Sequence, residues 1–535
     1  MTRTVRGAGR TDSPPRRPPE PAPQRLVTVL RRHWLIAILL LAGLLLRVAA
    51  LIAYRPILFY IDSTKYLYHG AANDPVGYRV PLRLILLVGN LDTVAAVQHL
   101  LGLAMGVAIY AVLARRAVPR WLAALAAAPV LLDGYQLQIE QTMMPDVWFE
   151  ALIVTGLVVL LWWRGIWAIA VGGIALGLAA TVAQKGQILV LPALVYVLVA
   201  ACGWRRALGG AALMCAAFAL PILTYMSISS AVTGHFWLSH SGTTTLYGRA
   251  ASAADCVTLR LPTAQRPLCP TPSQKALGAD GLEHSPRSPL RPYYADLPGA
   301  QASATVSAFN RAVFTQQPGR VAAAVAADAA KLFALTRNTR PGDTPIWRWQ
   351  FQTSYPYWLH ASPAEVRSVI KSFGGGDPHV VKPLATALRS YQLHGGFTPG
   401  PVYALAALAG LIGSLSLIGW PRWTRRRTQA DRTSADPDSA SVALDSASVA
   451  PDSASAAPGQ ADDEPGPGRQ VALACLLFFL TGAAVLVLSD VFEFSWRYQL
   501  PALVTLPAAG ALGITAIRLR VSPRAPRPPA GPACP

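Results

Sequence analysis

Long apolar runs separated by short polar segments form the main pattern of this chain. Because a helix needs about 20 mostly apolar residues to cross a bilayer, these runs predict membrane spans. The predicted spans are 34–54, 93–114, 121–139, 147–163, 167–184, 187–203, 207–229, 400–420, 470–489 and 499–517. The stretch 80–92 is too short to span and is predicted to lie at the interface or to re-enter the membrane. The pattern predicts an all-α polytopic membrane protein with about 10 transmembrane helices, in a range of about 8–12.

Composition supports the same class of protein. Of the 535 residues, 53% are hydrophobic and only 14% are charged, whereas soluble domains carry about 25% charged residues. These values exclude disordered, collagenous and disulfide-scaffold proteins. The chain has 47 Lys and Arg against 27 Asp and Glu, a net charge of +20. Because the arginines stand beside apolar runs and not on one face of a soluble domain, no nucleic-acid partner is expected.

Positive charges recur in alternate loops, and this recurrence predicts the orientation of the chain. Residues 34–54 are interpreted as a retained first span, because no cleavage site follows them. The N-terminal segment is rich in arginine, and every second loop after it is basic. The basic residues of these loops are Arg115, Arg116, Arg120, Arg164, Arg205, Arg206, Arg422, Arg425, Arg426, Arg427, Arg518, Arg520, Arg524 and Arg527. The pattern predicts a multi-pass protein of the cell membrane with both termini in the cytoplasm.

Shifts in composition divide the chain into seven segments. Two of them are low in complexity: a Pro- and Arg-rich start and a later stretch that repeats Asp-Ser-Ala-Ser. The predicted segments are 1–30, a disordered basic cytoplasmic arm; 31–229, an N-terminal membrane domain with catalytic outer loops; 230–399, an extracytoplasmic module; 400–420, a transmembrane helix; 421–469, a disordered cytoplasmic linker; 470–518, a C-terminal transmembrane pair; and 519–535, a cytoplasmic tail.

The segment 230–399 contains many aromatic residues and a helical pattern near 319–336 that is typical of an amphipathic helix. Its two cysteines, Cys256 and Cys269, are the only ones predicted to face the outside. Since that compartment favours oxidation, a disulfide between them is the preferred interpretation, and two free thiols are the alternative. The other cysteines do not have the spacing of a metal site.

Asp62 lies in the first outer loop, among aromatic side chains that suit the headgroup region. A carboxylate in this position is a candidate general base for a hydroxyl nucleophile. The alternative is an aspartate that caps a short helix through Ser63 and Thr64.

A second cluster of acidic residues runs from Asp133 to Glu150, between two apolar helices. Glu140 and Asp146 are candidates to orient an acceptor hydroxyl or to hold a divalent ion, Mg²⁺ or Mn²⁺. For Asp146, which follows a proline at a helix start, capping is the alternative. Glu150 is predicted to pair with Arg47 or Arg83, because a charge near the bilayer needs a partner.

Two isolated cations, Lys185 and Arg497, lie on the side of the membrane where positive charge is otherwise scarce. Each is a candidate contact for a phosphate group. The alternatives are a lysine that extends to the interface and an arginine paired within an aromatic belt, next to Trp496 and Tyr498. Together with Asp62, these cations suit transfer from a lipid-phosphate donor, since the departing phosphate needs cations and the acceptor hydroxyl needs a base.

The order of these motifs resembles the GT-C superfamily of glycosyltransferases that use polyprenyl-phosphate sugars, in particular the actinobacterial relatives of protein mannosyltransferases and of the lipid A aminoarabinose transferase. The resemblance covers mainly residues 34–205 and 470–518. It rests on Arg47 within Leu-Leu-Leu-Arg-Val-Ala-Ala-Leu, Asp62 with Tyr66, Gly77-Tyr-Arg-Val-Pro-Leu-Arg83 ahead of Val97–Gly106, the segment Glu140–Glu150, Lys185 before Leu-Val-Leu-Pro-Ala-Leu, and Arg497-Tyr498-Gln-Leu-Pro501.

The resemblance implies roles for five residues, and two tyrosines complete the set of expected site residues. Asp62 is the expected catalytic aspartate, Glu140 or Asp146 is the second acidic site, and Lys185 and Arg497 are the contacts of the donor phosphate. The tyrosines Tyr66 and Tyr498 are the expected substrate-binding side chains. The family's first-loop Asp-Glu pair is Asp62-Ser63 here, which leaves the metal requirement and the identity of the base open.

The leading hypothesis is a membrane glycosyltransferase that moves a sugar from a polyprenyl-phosphate donor to an extracytoplasmic acceptor in the cell wall, a lipid or a protein. Direct displacement would invert the anomeric centre. One alternative is a transporter or flippase of lipid-linked glycans, which predicts internal repeats and charges at mid-bilayer. Another is a non-catalytic scaffold of the cell envelope. Charges concentrated at the outer ends of the predicted spans favour the enzyme.

Overall fold

The structure of the protein, a computed structural model, describes residues 31–60, 62–68, 75–201, 203–239, 241–297, 299–357, 362–418 and 467–521. Of these residues 76% are helical. Six helices in this part of the chain are long and apolar enough to cross a membrane, or seven if one bent pair counts as a span. The chain is therefore mostly helical with several candidate membrane spans, as the apolar runs predict.

The apolar runs of the first half form helices, because in a nonpolar environment each backbone N–H and C=O group must bond within its own segment. These helices are α1 (Trp34–Ala53), α2 (Ser63–Leu67), α3 (Arg79–Val88), α4 (Leu91–Arg115), α5 (Arg120–Leu132), α6 (Gly134–Glu140), α7 (Asp146–Trp162), α8 (Ile166–Val182), α9 (Val190–Ala200) and α10 (Trp204–Thr233). A 3₁₀-helix, Gln184–Leu189, connects α8 to α9.

The second half begins with short helices and ends with three long apolar ones. Its helices are α11 (Gly242–Ala253), α12 (Pro272–Lys275), α13 (Gly278–His284), α14 (Ala300–Gln316), α15 (Pro318–Lys331), α16 (Pro363–Ser372), α17 (Lys382–Leu393), α18 (Gly400–Leu415), α19 (Pro467–Phe492) and α20 (Pro501–Val521). Further 3₁₀-helices are Thr263–Leu268, Arg291–Asp296, Ile346–Trp349, Ser416–Ile418 and Trp496–Gln499. Strands β1 (Tyr54–Arg55) and β2 (His379–Val380) pair antiparallel, with Tyr54 opposite Val380.

The last helix, α20, lies at the centre of the bundle. In the 18-residue apolar stretch within Trp496–Arg520, 89% is buried, against 22% in the corresponding stretch of α1. It packs against α18, α19 and α5. Glycines permit the closest approach: a Cβ atom on Gly413 of α18 would lie 2.4 Å from the Cα atom of Gly513 on α20. Such contacts between small residues are typical of helices that associate within membranes.

The predicted module 230–399 contains two parts that differ in what they pack against. The first, helices α11 to α15, has its own apolar core around Tyr247, Phe309 and Leu282. Its Cys256 and Cys269 form a disulfide, as the preferred interpretation of these cysteines has it. The second part, with Trp349 and Phe351, joins the core of the membrane helices. Strand β2 and the hydrogen bond from the Tyr54 hydroxyl to the carbonyl of Gln352 (2.7 Å) also attach this second part to the end of α1.

The predicted span 121–139 is broken in the structure. Helices α5 and α6 meet at Asp133 with a bend of 51°. Asp133 has an extended backbone, and its carboxylate accepts hydrogen bonds from the N–H groups of Tyr135 (3.0 Å) and Thr398 (2.7 Å). Arg337 pairs with the same carboxylate at 2.9 Å. Two of these three partners, Arg337 and Thr398, lie more than 200 residues from Asp133, so the bend depends on a segment far away in the sequence.

Two amphipathic stretches of the sequence are helices. The stretch 80–92 begins with α3, which exposes Leu84 and Leu87 on one side and carries Arg79 and Arg83. This distribution suits a helix that lies at an interface. The helical pattern near 319–336 corresponds to α15. The arm 1–30, nearly all of the linker 421–469 and the tail from 522 onward lie outside the described residues.

Candidate active site

Asp62 stands before the short helix α2 without capping it. Its carboxylate makes no capping hydrogen bond and instead faces two cations, Lys65 at 3.3 Å and Arg497 at 3.6 Å. The neighbouring Ser63 hydroxyl accepts from the Tyr60 N–H (2.7 Å) and donates to the Met143 carbonyl (2.9 Å), which fixes this loop against the segment before α7. One third of the Asp62 side chain is exposed. The capping alternative for Asp62 is therefore wrong, and its carboxylate is accessible.

Arg497 connects the two aspartates of the site. It lies in the 3₁₀-helix Trp496–Gln499, and its Nε donates to both carboxylate oxygens of Asp146, at 3.0 and 2.9 Å. The guanidinium also packs over the rings of Trp349 and Tyr498, with centroids at 5.5 and 5.2 Å. Asp146, the first residue of α7, is almost completely buried. The arginine thus holds the buried Asp146 tightly and the exposed Asp62 loosely.

Lys185 lies in the turn between α8 and α9, outside the predicted spans, and its ammonium is buried. The Nζ atom has no hydrogen-bond partner and lies 4.6 Å from the ring centroid of Tyr498 and 5.3 Å from that of Phe149. Burial lowers the pKa of Lys185 to about 8, against the opposing effect of Asp146. A lysine that extends to the interface would be exposed, so that alternative is wrong. The buried cation lacks an acceptor.

Six of the seven residues singled out in the sequence line one cavity. The open cavity encloses about 740 Å³, part of which is solvent. Its lining includes Asp62, Lys65, Tyr66, Pro145, Asp146, Gln184, Lys185, Ser241, Thr245, Phe492, Arg497 and Tyr498. Tyr66 is buried, with its ring 5.2 Å from that of Tyr78. The cavity therefore joins two carboxylates, three cations and two tyrosines.

Glu140 is the one predicted site residue that does not line this cavity. It is fully buried, and its carboxylate pairs with Arg47 and His99, each at 2.8 Å. The amide of Gln136 donates to it as well (3.3 Å). A Cβ atom on Gly102 would lie 2.0 Å from Glu140 Oε1, so only glycine leaves space for this carboxylate. Glu140 holds α1, α4 and α6 together.

The predicted partner of Glu150 is wrong. Its carboxylate accepts a hydrogen bond from the amide of Gln136 at 2.8 Å, whereas Arg47 pairs with Glu140 and Arg83 donates to the carbonyl of Leu67. The reason is the bend at Asp133, which turns α6 so that Gln136 comes between the two glutamates. Arg47 thus has a carboxylate partner, but that partner is Glu140 and not Glu150.

Residues 239–245, in the predicted extracytoplasmic module, lie at the cavity although no motif in the sequence marks them, and Ser241 and Thr245 line it. Ser239 and Ser241 donate to the amide oxygen of Gln184, at 3.1 and 3.2 Å. Thr245, on α11, donates to Glu283 at 2.9 Å. Serine and threonine are common in loops, so no local signal marked them. These two hydrogen bonds to Gln184, which itself lines the cavity, hold the start of α11 over it.

Glu493, four residues before Arg497, is a further residue for which the sequence predicts no role. Burial raises the pKa of Glu493 well above its usual range, and Asp280 and Glu283 add to this effect, whereas Arg497 and the Tyr498 hydroxyl oppose it. Its Oε2 atom is buried without a hydrogen-bond partner. Burial thus favours the neutral form of the Glu493 carboxyl.

The donor atoms of the cavity determine whether it suits a divalent ion. Among the described residues no group of three or more His, Cys, Asp or Glu side chains could hold a metal ion. In the cavity the two carboxylates, Asp62 and Asp146, face the same guanidinium of Arg497. These residues do not fit a resident Mg²⁺ or Mn²⁺ site.

No protein-family model, curated protein sequence or solved structure matches this chain. The similarity to the GT-C superfamily accordingly remains a prediction from the order of sequence motifs. What the structure adds is spatial: motifs from residue 62 to residue 498, separated along the chain, line a single cavity. Function is therefore inferred from the chemistry of that cavity.

Proposed function

We propose that the protein is a membrane glycosyltransferase that moves a sugar from a polyprenyl-phosphate donor to an extracytoplasmic acceptor. One observation carries the proposal: the cavity combines a buried ammonium without a hydrogen-bond acceptor (Lys185), a second cation (Arg497) and an accessible carboxylate (Asp62). The two cations can bind an anionic group of one reactant, and the carboxylate can accept a proton from a hydroxyl group of the other.

The anion is the phosphate of the donor. A buried cation without a hydrogen-bond acceptor is costly, and a phosphate oxygen would supply the missing acceptor for Lys185 Nζ. The charge of Arg497 is already shared with Asp146 and Asp62. Lys185 is therefore the primary phosphate contact, and Arg497 adds positive charge at the same wall. The tyrosines Tyr66 and Tyr498 provide aromatic surface on which a sugar ring can pack.

Asp62 is the general base, and Asp146 is a positioning residue. Both oxygens of Asp146 accept from Arg497 at about the normal hydrogen-bond length, and the side chain is buried. The contact of Asp62 with Arg497 is 3.6 Å, and a third of its side chain is accessible to an incoming hydroxyl. Of the two aspartates, only Asp62 has a side chain exposed enough to contact an acceptor hydroxyl.

The reaction is a single displacement. The acceptor oxygen attacks the anomeric carbon as its proton passes to the Asp62 carboxylate. The bond between that carbon and the phosphate oxygen breaks, and the electron pair leaves with polyprenyl phosphate, which the cations stabilise. Attack opposite to the leaving group inverts the anomeric centre. A phosphate leaves readily, so the step needs no strong general acid.

We also propose the finer topology, a GT-C-like arrangement of ten spans with both termini in the cytoplasm and the cavity outside. The six long helices and the bent pair account for seven spans. Helices α7, α8 and α9, the last lengthened by residues 187–189 of the preceding 3₁₀ turn, account for three more. A 17-residue helix such as α8 is about 25 Å long, at the short end of the range for spanning helices. The basic loops support the orientation.

The test compares membranes that carry the intact protein, Asp62→Asn and Asp255→Asn. Asp255 is the matched control because its side chain has nearly the same exposure, 32% against 33%, but lies in the outer module. The assay supplies radiolabelled polyprenyl-phosphate sugars and a cell-envelope acceptor extract. We expect Asp62→Asn to reduce transfer at least about a hundredfold and Asp255→Asn to leave it unchanged.

Two results would contradict the proposal. Transfer by Asp62→Asn at the intact rate would remove this residue from the mechanism. No transfer by the intact protein with any donor tested would refute the enzyme, and movement of the labelled lipid between leaflets would then favour a flippase. The amount of folded protein is measured in each membrane by size-exclusion after extraction.

A further inference from the structure

A second cleft lies at the opposite end of the bundle from the cavity. Helix α7 begins at Asp146 in the cavity and ends at Trp162, next to the cleft, and α8 returns from Ile166 in the cleft to Val182 in the cavity. Each helix has 17 residues, which separates the two sites by about 25 Å. The cleft encloses about 1540 Å³, part of which is open to its surroundings.

Three arginines and no acidic residue are found in the lining of this cleft, within the described part of the chain: Arg116, Arg164 and Arg206. Burial lowers the pKa of Arg116, and the charges of Arg164 and Arg115 lower it further, against an opposing effect of Tyr196. The side chain of Arg116 donates to the carbonyl of Leu161, which fixes it at the end of α7. The described lining of the cleft therefore combines three positive charges with no carboxylate.

The walls of the cleft are apolar, with side chains such as Ile166, Ile169 and Leu213. Around it three tryptophans are exposed by more than half: Trp163 (58%), Trp167 (76%) and Trp204 (69%). Exposed tryptophans at the ends of apolar helices are typical of the headgroup level of a membrane. The arginines and the apolar walls thus meet at the depth where a phospholipid changes from headgroup to acyl chain.

We infer that this cleft is a binding site for an anionic phospholipid of the membrane, separate from the donor cavity. The headgroup phosphate contacts the arginines, and an acyl chain lies along the apolar walls. Basic pockets between membrane helices bind anionic lipid headgroups in this way. The inference is independent of the transfer reaction, because the cleft shares no lining residue with the cavity.

One other occupant has suitable charge, the acidic run Asp462, Asp463 and Glu464, which lies close in sequence to the lining residue Gln470. A short acidic peptide would neutralise the arginines, but it would leave the apolar walls uncovered. A phospholipid satisfies both surfaces, so the lipid is the occupant that the lining favours.

The test measures lipid binding to the full-length protein, purified in detergent and stripped of lipid, by native mass spectrometry. The probes are dioleoyl phosphatidylglycerol and dioleoyl phosphatidylcholine, which differ in charge but not in acyl chains. We expect the intact protein to bind phosphatidylglycerol more tightly than phosphatidylcholine. With about 1 kcal/mol for each arginine near the headgroup, Arg164→Gln/Arg206→Gln should weaken binding of phosphatidylglycerol about 25-fold.

The matched control is Arg205→Gln, which removes an arginine next to Arg206 whose guanidinium packs on Trp204 and does not line the cleft. It should bind phosphatidylglycerol like the intact protein, and Arg164→Lys/Arg206→Lys should retain most binding. Thermal unfolding verifies that each variant is folded.

Three results would overturn the inference. In the first, the double glutamine variant binds phosphatidylglycerol as tightly as the intact protein. In the second, the two lipids bind equally. In the third, neutralising 462–464 increases binding of phosphatidylglycerol more than about tenfold, which would identify the acidic run as the resident occupant.

Discussion

Arg497 owes its role to the shape of its guanidinium. The planar group donates through Nε to Asp146 and faces Asp62 through Nη1, while its flat surface lies over Trp349 and Tyr498. A lysine has the same charge but neither the fork of donors nor the flat surface. Position and charge are therefore separable at this residue, and a charge-conserving substitution tests position alone.

We expect Arg497→Lys to lower kcat/KM for sugar transfer about a hundredfold, because the ammonium cannot hold Asp146 and Asp62 in one arrangement. Rates are measured in membranes with equal amounts of folded protein. Arg320→Lys, at a largely exposed arginine 3.8 Å from Asp255, is the matched control and should behave like the intact protein. Equal rates for both variants would show that Arg497 contributes only charge.

Lys185 provides a prediction of pH dependence. Its pKa of about 8 means that the free ammonium loses its charge as the pH rises through this value. Since kcat/KM reports the free enzyme, it should fall above about pH 8 as donor binding weakens. The measurement is a pH profile of kcat/KM from pH 6 to pH 10. Arg at position 185 stays protonated, so Lys185→Arg should remove this decline, and an unchanged decline would assign it to another group.

At the scale of elements, the bend between α5 and α6 decides which acidic residues reach the cavity. Without it, 120–140 would be one continuous helix. The bend instead directs Glu140 towards Arg47 in the core, and the chain then returns so that Asp146 faces Arg497. The bend is held by the pair of Asp133 and Arg337, which is almost completely buried.

We expect Arg337→Met to destabilise the protein by about 3–5 kcal/mol, because it leaves the Asp133 carboxylate buried without its cation. Lys371→Met removes one partner of an exposed pair, Lys371 with Asp377, and should change stability little. Thermal unfolding of the detergent-solubilised protein compares the two variants. Equal melting temperatures for them would contradict a stabilising role for the buried pair.

The same bend explains how far the sequence could predict the site. Charges next to apolar runs are conspicuous, and for that reason Asp62, Asp146, Lys185 and Arg497 were all identified and all line the cavity. Glu140 and Asp146 could not be separated, since both lie in one acidic segment. What separates them is the backbone direction at Asp133, which depends on Arg337 and Thr398, more than 200 residues away.

For the fold, the length of each apolar run is sufficient to locate the long helices, because this length is a local property of the sequence. The division of the segment 230–399 into two parts depends on contacts between distant residues. Tyr247 and Trp349 are both aromatic residues of the segment 230–399, yet one packs in a separate core and the other against the membrane helices. Hydrophobicity indicates that a residue is buried, but it does not identify its neighbours.

At the scale of the whole molecule, the cavity and the arginine-lined cleft lie at opposite ends of α7 and α8, and the predicted outer part covers the cavity. This outer part is attached through contacts such as Ser239 and Ser241 with Gln184. Its own core is small, and the disulfide of Cys256 with Cys269 closes a loop within it. Small extracytoplasmic cores commonly depend on such a bridge.

We expect Cys256→Ser/Cys269→Ser to make the outer part easier to open, by about 3 kcal/mol for a loop of this length. Limited proteolysis of the full chain in membranes should then cleave within 242–331 faster than in the intact protein. The control is Cys215→Ser, at a free cysteine in α10, which should leave the cleavage rate unchanged. If cleavage is equally slow in the double variant, the bridge does not stabilise this part.

The position of Arg497 in the chain has a consequence for synthesis. Asp146 emerges from the ribosome 351 residues before the arginine that neutralises it, an interval of about 20–70 s at ordinary translation rates. Until Trp496–Gln499 has been synthesised, Asp62 and Asp146 lack the cation that pairs with both. A chain truncated before Arg497 keeps both aspartates and Lys185 without this cation, and the proposed enzyme is inactive until synthesis has passed that residue.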